Sequence, residues 1–448
     1  MKIIICLHHF LPEVVGGTEI YTLCLANHLK KLGVEAMILI PNLGNPLTNE
    51  YEYEEIRIIR YAENSVEDRK MIMGKKAPDG LGGFAEILKN ENPDIIHFHE
   101  LAPGRGINIF HVEKAHELNI PIVLTFHLAA YTCFKGSLIY KEIKKCDGII
   151  KIKRCTDCVY HAKNITGVKA KFLSNIAVSL FNLGINPTAL NSTIGTALGF
   201  PFVINKIKND LLRFARLAEK IVVLSDWYKD VVEKNGIGTE KLVFMKQGLT
   251  SKSQKHLNAI KVSYPLKIVF LGRIARMKGL HLLIEAVCKI PEEKISLYIY
   301  GPELDDHYAR ECRKKSVSKI NIFWQGTIPS EDVIPTLSNY HLLCLPSYFE
   351  MSALVVQEAF AAGLPILASD VYGNAEQITD GVNGWLFRFK DGDHLLEKLK
   401  LLINDLSSIE AARLHLPAPG MFKEIATEHF KLYKEIIQCK KSKELLKT

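Results

Sequence analysis

Short apolar runs alternate with helical segments along most of the chain, and this alternation constrains the fold more than any other feature. Each apolar run in the first half has the length of a buried parallel strand, and most are preceded by a helical segment. The predicted strands are residues 2–7, 36–40, 95–99, 120–126 and 221–224. Strands that alternate with helices in this way predict a doubly wound α/β sheet.

The same alternation starts again in the second half, after a polar, lysine-containing connector at 251–263. Here the predicted strands are 267–271, 295–300 and 322–324, and 280–288 is a predicted helix. A chain of 448 residues is too long for one core, so we expect two domains with room for an insertion. Two such sheets in tandem leave a cleft, and loops at the carboxyl ends of their strands should carry the binding site.

Composition and charge exclude several classes of protein. The chain is 48% hydrophobic and 24% charged, which is typical of a globular protein. Its net charge of +8 allows an anionic substrate or a membrane surface, but falls short of a nucleic-acid-binding surface. The apolar stretch at 3–7 is shorter than an export signal, and no continuously apolar run approaches the roughly 20 residues of a membrane span. We therefore expect a cytoplasmic protein, with reduced cysteines unless they bind metal.

Two glutamates, Glu350 and Glu358, bracket the start of a predicted helix. The strand predicted at 340–345 ends at a proline, and Ser352 is the expected N-cap of a helix at 353–362. Such a helix start offers free N–H groups and a positive dipole to a diphosphate. Glu358 can accept hydrogen bonds from the two hydroxyls of a ribose, and Glu350 from those of a hexose.

Three further loops fall at predicted strand ends. Arg273 and Lys278 lie on a turn after a strand, from which a guanidinium and an ammonium group can reach phosphate oxygens. Gly16 and Gly17 allow a ligand to approach a helix N-terminus closely, although a purely structural turn also uses glycine. His127 ends a strand and can hydrogen-bond a sugar hydroxyl, or serve only as a structural residue.

Four cysteines crowd into a short part of the predicted insertion. They are Cys133, Cys146, Cys155 and Cys158, with His161 just beyond. This spacing suits a tetrahedral zinc site, in which the Cys-x-x-Cys pair supplies half of the ligands. Four thiolates leave no open position for catalysis, so the predicted metal is structural. Buried free thiols or a disulfide are the alternatives.

Two other stretches carry weaker signals. His97, His99 and His111 look like a cluster, but we expect strand alternation to separate their neighbours and do not predict a metal site there. The segment 165–212 has frequent apolar residues interrupted by Lys, Asn and Thr. It is either an insertion that shapes an acceptor cleft or an interfacial helix at a membrane that carries a lipid-linked acceptor.

The order of several motifs resembles that in retaining glycosyltransferases of family 4. The motifs are Gly272 and Arg273 with Lys278 and Gly279, Tyr300 to Glu303, Trp324 to Gly326, Leu345 to Ser347, the pair Glu350 and Glu358, Ala361 to Asp370, and Asp380 to Gly384. The resemblance is close over 267–390 and looser over 1–125 and 218–248. Some members of that family also have a similar arrangement of cysteines.

The resemblance implies a GT-B fold, in which two Rossmann-like doubly wound domains face each other across a cleft. The expected domains are 1–250 for the acceptor, with a cysteine-rich insertion at about 130–212, and 264–420 for the nucleotide sugar. A C-terminal segment at 421–448 should then cross back to the first domain as a helix, for which 422–437 is the candidate.

The family's site residues carry over onto matching positions. Arg273 and Lys278 would bind the donor diphosphate, Glu358 the ribose and Glu350 the hexose, while Gly16 and Gly17 would approach the phosphate or acceptor. The expected catalytic residues are Glu350, His127, Arg273 and Lys278; the expected donor-binding residues are Gly16, Gly17, Arg273, Lys278, Gly301, Gly326, Glu350, Ser352, Ala353, Leu354 and Glu358. Where members of the family often have Phe-Gly, this chain has Ser352 and Ala353, and where they often have Asn before the linker it has Gln247. Neither change removes a charged ligand group, so the differences leave the identity of the donor open and not the activity.

The expected function is transfer of a hexose or related sugar, with retention, from a nucleoside-diphosphate sugar to a saccharide or lipid-linked acceptor. Polysaccharide or glycoconjugate synthesis at the cell surface is the expected setting, with peripheral contact to the inner face of a membrane, a structural zinc, no catalytic metal and no nucleic acid. The rivals are an epimerase or phosphorylase on the same fold and a non-catalytic nucleotide-sugar-binding scaffold. A phosphorylase would need pyridoxal phosphate and a lysine to hold it, for which the chain has no motif. The base, sugar, acceptor, linkage and oligomeric state are left open.

Overall fold

The computed structural model describes residues 1–14, 16–102, 106–190, 192–249 and 260–445. The chain divides into two compact units, each with its own sheet. The first contains Met1–Lys246 and Lys423–Thr448, and the second contains Gln247–Phe422. Most of the connector predicted at 251–263 lies outside the described residues.

The first unit is built on an eight-stranded sheet. Its strands and a separate two-stranded ribbon are β1 Lys2–Cys6, β2 Glu35–Leu43, β3 Asn49–Tyr53, β4 Ile56–Glu63, β5 Ile95–Phe98, β6 Ile122–Phe126, β7 Ile139–Tyr140, β8 Lys144–Lys145, β9 Lys220–Val223 and β10 Leu242–Phe244. The sheet order is β10-β9-β6-β5-β1-β2-β4-β3, and β7 pairs only with β8. Every pairing in the large sheet is parallel except β3 with β4. The five strands predicted in this half are all present, with ends that differ by up to three residues.

The antiparallel hairpin of β3 and β4 was not predicted. Its turn is formed by Glu54 and Glu55, whose φ angles of 46° and 60° lie in the left-handed region. Hairpin turns of this geometry usually show themselves by Asn-Gly or Asp-Gly. Two glutamates carry no such signal, and β3 is the edge strand of the sheet, with all five residues exposed or only partly buried.

The helices of the first unit precede and follow the strands as expected for a doubly wound sheet. They are α1 Gly17–Lys31, α2 Arg69–Ile72, α3 Leu81–Glu91, α4 Ile109–Glu117, α5 Ile152–Ala162, α6 Gly167–Asn182, α7 Thr193–Leu217 and α8 Asp226–Lys234. The N-cap of α1 is Gly16. β6 and β9 are neighbours in the sheet, although β7, β8 and α5 to α7 come between them in the chain.

The second unit has a wholly parallel six-stranded sheet. Its elements are β11 Leu266–Leu271, α9 Leu280–Val287, β12 Ile295–Tyr300, α10 Asp306–Ser316, β13 Ile322–Gly326, α11 Val333–Leu337, β14 Leu342–Leu345, α12 Leu354–Ala361, β15 Ile366–Ser369, α13 Tyr372–Gln377, β16 Gly384–Phe387, α14 Gly392–Asn404 and α15 Ser407–Arg413. The strand order is β13-β12-β11-β14-β15-β16. Ile268 and Val269, adjacent in β11, belong to two different apolar clusters. Successive residues of a strand point to opposite faces, so both faces of this sheet are covered.

The last helix, α16 Phe422–Leu445, returns the chain to the first unit. Its buried side chains recur every three or four residues, which places them on one face. They are Phe422, Ile425, Ala426, His429, Leu432, Tyr433 and Ile436. Among the helices of the described residues, none combines the length and the apolar character needed to cross a lipid bilayer.

Candidate active site

The loops that follow β11 and β14 carry an ion pair between two predicted site residues. The two strands are neighbours in the second sheet. Lys278 Nζ donates to Glu350 Oε1 over 2.6 Å, and their side chains are only 23% and 11% exposed. A charged hydrogen bond of this length holds both groups in place. The structure thus brings the predicted phosphate-binding lysine to the predicted hexose-binding glutamate.

Backbone contacts fix these loops against one another. The Tyr348 N–H donates to the Met277 carbonyl over 2.8 Å, which ties the loop after β14 to the loop after β11. Gly279, with φ of 67°, lies so close to this loop that a Cβ there would stand 2.1 Å from the Pro346 oxygen. Only glycine fits both the backbone angle and the space.

The loops after β12 and β13 join the same edge of the sheet. The Gly301 N–H donates to the Gly326 carbonyl over 2.8 Å. A Cβ on Gly301 would stand 1.9 Å from the Gly272 oxygen, beside Arg273. Arg273 is exposed, and no side chain of the described residues pairs with its guanidinium. The loops that carry the predicted donor-binding residues Arg273, Gly301 and Gly326 therefore lie side by side. The guanidinium of Arg273 is accessible to a ligand there.

The helix α12 begins one residue later than predicted, at Leu354. Its N-cap is Ala353, and no side chain caps the helix. The expectation that Ser352 is the N-cap was wrong, because a residue one position before the N-cap is not placed to accept from the first-turn amides. The uncapped helix start keeps its positive dipole end free of a side-chain partner.

Glu358 lies on α12. Burial raises the pKa of its carboxyl group to about 7. A carboxyl group with this pKa changes charge near neutral pH. Hydroxyl groups that donate hydrogen bonds to it would stabilise its ionised form.

The remaining predicted site residues belong to the first unit. Gly16 is the extended N-cap of α1, with φ of −149°, and no side chain caps the helix; next to Gly17 an added Cβ would meet open space. His127 directly follows β6. Its Nε2 atom is buried without a hydrogen-bond partner among the described residues. Burial, reinforced by His429, lowers the pKa of His127 to about 3, so the ring is neutral and can hydrogen-bond a hydroxyl group.

His97 and His99 lie together, contrary to the expectation drawn from strand alternation. Their Nδ1 and Nε2 atoms are 3.3 Å apart, and the ring of His99 is 5.1 Å from that of His127. Alternation places residues two apart on the same face of a strand, so the spacing of His97 and His99 itself indicates that they are neighbours. His111 is elsewhere, hydrogen-bonded to Tyr61 over 3.0 Å.

The C-terminal helix completes this cluster of histidines. Tyr21 Oη hydrogen-bonds His429 Nε2 over 2.8 Å, and Tyr433 Oη hydrogen-bonds His97 Nδ1 over 2.7 Å. The ring of Tyr21 is 5.0 Å from that of His127. His127 is therefore packed against groups from α1 and is linked through them to α16. No local sequence signal connects Tyr21 to His429, because 408 positions separate them.

The four cysteines predicted to bind metal line one small cavity. Cys133 and Cys146 come from the loops around β7 and β8, and Cys155 and Cys158 from α5. The Lys141 N–H donates to Cys158 Sγ over 3.3 Å. None of the four is in a disulfide bond, so that alternative is not formed. As they stand, no three His, Cys, Asp or Glu side chains in the described ranges are arranged to hold a metal ion.

Family models match both units of the chain. The family described as glycosyl transferases group 1 matches residues 254–414, and glycosyltransferase family 4 matches residues 15–152. The chain is a family 4-like glycosyltransferase. The first match contains all of the predicted site residues of the second unit, and the second contains Gly16, Gly17 and His127.

Solved structures show that this glycosyltransferase has the GT-B fold. Sucrose-phosphate synthase from Thermosynechococcus elongatus aligns with a TM-score of 0.66 and 16% identity, over 98% of this chain and 99% of that one. Anabaena Alr3699/HepE in complex with UDP and glucose aligns with a TM-score of 0.62 and 13% identity, over 97% of this chain and 99% of that one. At these identities the likeness establishes the fold alone.

Curated relatives of the glycosyltransferase match over shorter stretches. Sulfoquinovosyl transferase SQD2 of Arabidopsis thaliana is 26% identical over 41% of this chain and 37% of its own length. The putative colanic acid biosynthesis glycosyltransferase WcaL of Escherichia coli K12 is 24% identical over 44% of this chain and 50% of its own length. The chain spans about half or less of the length of such relatives, between 35% and 51%.

Proposed function

We propose that this glycosyltransferase moves a hexose or related sugar from a nucleoside-diphosphate sugar to a saccharide or lipid-linked acceptor, with retention of configuration. The proposed setting is cell-surface polysaccharide or glycoconjugate synthesis at the cytoplasmic face of a membrane. The observation that carries the proposal is the partly buried pair of Lys278 and Glu350, where the loops after β11 and β14 meet. It offers a cation for phosphate and an acceptor for sugar hydroxyls in one place.

The proposed donor site extends from this pair. Arg273 has a free guanidinium on the same loop as Lys278, and together they would bind the two phosphates. The uncapped start of α12, at Ser352, Ala353 and Leu354, would add backbone N–H groups. The complexes of Alr3699/HepE with UDP and glucose and with UDP-glucose support a donor of this class.

The other contacts follow the same assignment. Glu358 would accept from the ribose hydroxyls, and Glu350 from the hexose. Gly301 and Gly326 would let the nucleotide base approach the backbone. In the first unit, Gly16 and Gly17 would border the phosphate or acceptor, and His127 would offer its free Nε2 to the reacting sugar.

The proposed reaction needs no protein nucleophile. The bond between the anomeric carbon and the diphosphate oxygen breaks, a bond to the acceptor oxygen forms on the same face, and the acceptor proton passes to the leaving phosphate. Negative charge gathers on the diphosphate as the sugar becomes oxocarbenium-like. Arg273, Lys278 and the start of α12 would stabilise that charge. Electrostatic stabilisation of this kind is usually the largest single contribution to catalysis.

Replacement of Arg273 tests this assignment. Arg273→Ala should lower the transfer rate by about 100- to 1000-fold, because a charge-stabilising donor is lost. Arg310→Ala, at another exposed arginine of the second unit, is the matched control and should transfer normally. Near-normal turnover by Arg273→Ala, with the fold intact by circular dichroism, would refute the donor site.

The donor itself can be found by a thermal-shift panel of nucleoside diphosphates and their sugars. A ligand at about 100 times its dissociation constant should add roughly 2.7 kcal/mol to the stability of the protein. Sugar transfer or donor hydrolysis by the purified protein would exclude a non-catalytic scaffold. Conversion of the sugar nucleotide without any acceptor would instead indicate an epimerase.

We also propose that Cys133, Cys146, Cys155 and Cys158 bind one structural zinc ion. Their convergence on one cavity and the N–H donated to Cys158 Sγ support a thiolate site. Binding would require the four thiols to close around the ion. Metal analysis of purified protein should find about one zinc per chain. Less than half an equivalent of zinc or iron, or an unchanged content in Cys155→Ser with Cys158→Ser, would count against the site.

A further inference from the structure

The positive charge of the protein is concentrated in one segment of the first unit. Residues 151–217, which contain α5, α6 and α7, have ten Lys and Arg against two Asp, a net charge of +8. The whole chain has 57 basic and 49 acidic residues, also a net charge of +8. From 158 to 209 there is no acidic residue at all. Outside this segment the charges of the protein therefore balance.

Within this segment, two large apolar side chains of α6 and a third at its C-cap are exposed to solvent. Val168, Phe172 and Leu183 are 82%, 68% and 73% exposed. Their spacing places them along one stripe of the helix and its C-cap. The side chains that α6 buries are the small ones of Ser174 and Ala177. An ordinary surface helix buries its large apolar residues instead, so this exposed stripe marks a contact surface.

Further large apolar side chains are exposed between α6 and the first turn of α7. Ile185, Leu190 and Ile194 are also more than half exposed. Six of the 24 exposed large apolar residues of the described chain thus fall within 27 positions, 168 to 194. Lys169 and Lys171, both exposed, lie on either side of the α6 stripe. Apolar side chains flanked by lysines and without carboxylates are typical of helices that lie in a lipid interface.

We infer that α6, together with the exposed side chains of Leu183, Ile185, Leu190 and Ile194, docks onto an anionic lipid surface. The apolar stripe would enter the boundary between headgroups and acyl chains, and the lysines would meet the headgroup phosphates. A second copy of this chain would bring two strongly positive surfaces together, so charge disfavours self-association here. The inference deepens the proposed function, since it places the enzyme where a lipid-linked acceptor resides.

Vesicle co-sedimentation of the full chain tests the inference. The lipids are phosphatidylcholine alone and phosphatidylcholine mixed with anionic phosphatidylglycerol. The parent protein should bind the mixed vesicles preferentially, and added salt should weaken the binding. Lys169→Glu with Lys171→Glu should weaken it by at least about fivefold for each lysine. Val168→Ser with Phe172→Ser should weaken it by about tenfold or more.

The matched control is Val317→Ser with Ile320→Ser, which removes two apolar side chains that are 84% and 80% exposed in the second unit. This variant should bind vesicles as the parent does. Absent or equal binding to the two kinds of vesicle, or unchanged binding by the α6 variants, would overturn the inference. So would a dimer in light scattering that Val168→Ser with Phe172→Ser dissociates, because a second copy would then be the partner.

The nucleotide-sugar thermal shift is measured on the same variants. It should be unchanged in all of them, because none of the substitutions lies in the proposed donor site. If the parent protein shows a normal donor shift but no preference for anionic vesicles, the lipid surface alone is overturned. Normal vesicle binding without any donor shift would speak against the proposed donor site alone.

Discussion

Glu358 is an acidic residue whose surroundings oppose its charge. Burial raises the pKa of its carboxyl group to about 7, so near neutral pH it is only partly ionised. Because the folded pKa lies above the unfolded one, ionisation of Glu358 lowers the stability of the free protein as the pH rises to 7. A donor whose ribose hydroxyls bind the ionised form would offset this cost.

Donor affinity should therefore depend on pH through Glu358. Below about pH 7 the donor must displace a proton from Glu358. The dissociation constant of the donor should therefore rise as the pH falls, by up to about tenfold per pH unit. Calorimetric titration with the intact sugar nucleotide at several pH values measures this. Glu358→Gln should bind the donor more weakly and with little pH dependence. Glu331→Gln, at an exposed carboxylate of the same unit, is the control, and an unchanged pH dependence in Glu358→Gln would contradict the role of Glu358.

The pair of Lys278 and Glu350 was predicted from the sequence only in part. Their loops and their ligand chemistry were read from the sequence, but their 2.6 Å contact was not. That contact depends on β11 and β14 being neighbours, although β12 and β13 come between them in the chain. Sheet order, and not residue type, brings the two charges together.

At the scale of elements, the loops of the second unit depend on glycines that allow close backbone contacts. Gly279 combines a positive φ with an approach to Pro346 that excludes any Cβ. Gly381 has a similar φ of 77°, but an added Cβ there would meet nothing within 4 Å. Alanine at Gly381 would thus introduce backbone strain alone, whereas alanine at Gly279 would introduce backbone strain and a steric overlap.

Alanine at these two glycines should differ in its effect on stability. Gly381→Ala should cost about 1 to 2 kcal/mol from backbone strain alone. Gly279→Ala should cost about 1 to 3 kcal/mol more, since backbone atoms of the neighbouring loop must move. Urea unfolding of both variants measures the difference. Equal losses in the two variants would show that the contact between the loops is not tight.

Strand and helix types were predicted better than their ends and caps. The apolar runs of β11 and β12 leave little choice of structure, because residues buried on both faces must be apolar throughout. The start of α12 was misplaced by one residue, since Ser352 has the side chain of an N-cap but Ala353 has the position. Side-chain chemistry shows which residues favour an N-cap position, whereas the path of the backbone determines which residue occupies it.

At the scale of the whole molecule, the histidine cluster joins the first helix of the chain to the last. Burial lowers the pKa of His429 to about 3 and holds the pKa values of His97 and His99 well below their ordinary range. In the unfolded chain these groups bind protons below about pH 6.5, whereas in the folded protein they stay neutral. Protonation of the unfolded chain therefore destabilises the fold as the pH falls.

Thermal stability should decline between pH 7.5 and pH 5, and His429 should account for part of the decline. Each buried histidine can cost up to about 2 kcal/mol at pH 5. His429→Gln, which keeps a side-chain partner for Tyr21, should flatten the pH dependence by about this amount. His307→Gln, at an exposed position, is the control and should behave as the parent chain. A slope that His429→Gln leaves unchanged would mean that the cluster is not the cause.

The sequence by itself determined the class of fold, the family and the loops that carry the charged candidates of the donor site. It could do so because hydrophobic periodicity and the order of short motifs are local properties of the chain. Only the tertiary structure decided the pairing of Lys278 with Glu350, the gathering of histidines from α16 and β5 behind His127, and the outward turn of the apolar stripe on α6. Each of these depends on which distant elements become neighbours, and that is set by packing of the whole unit rather than by any single segment.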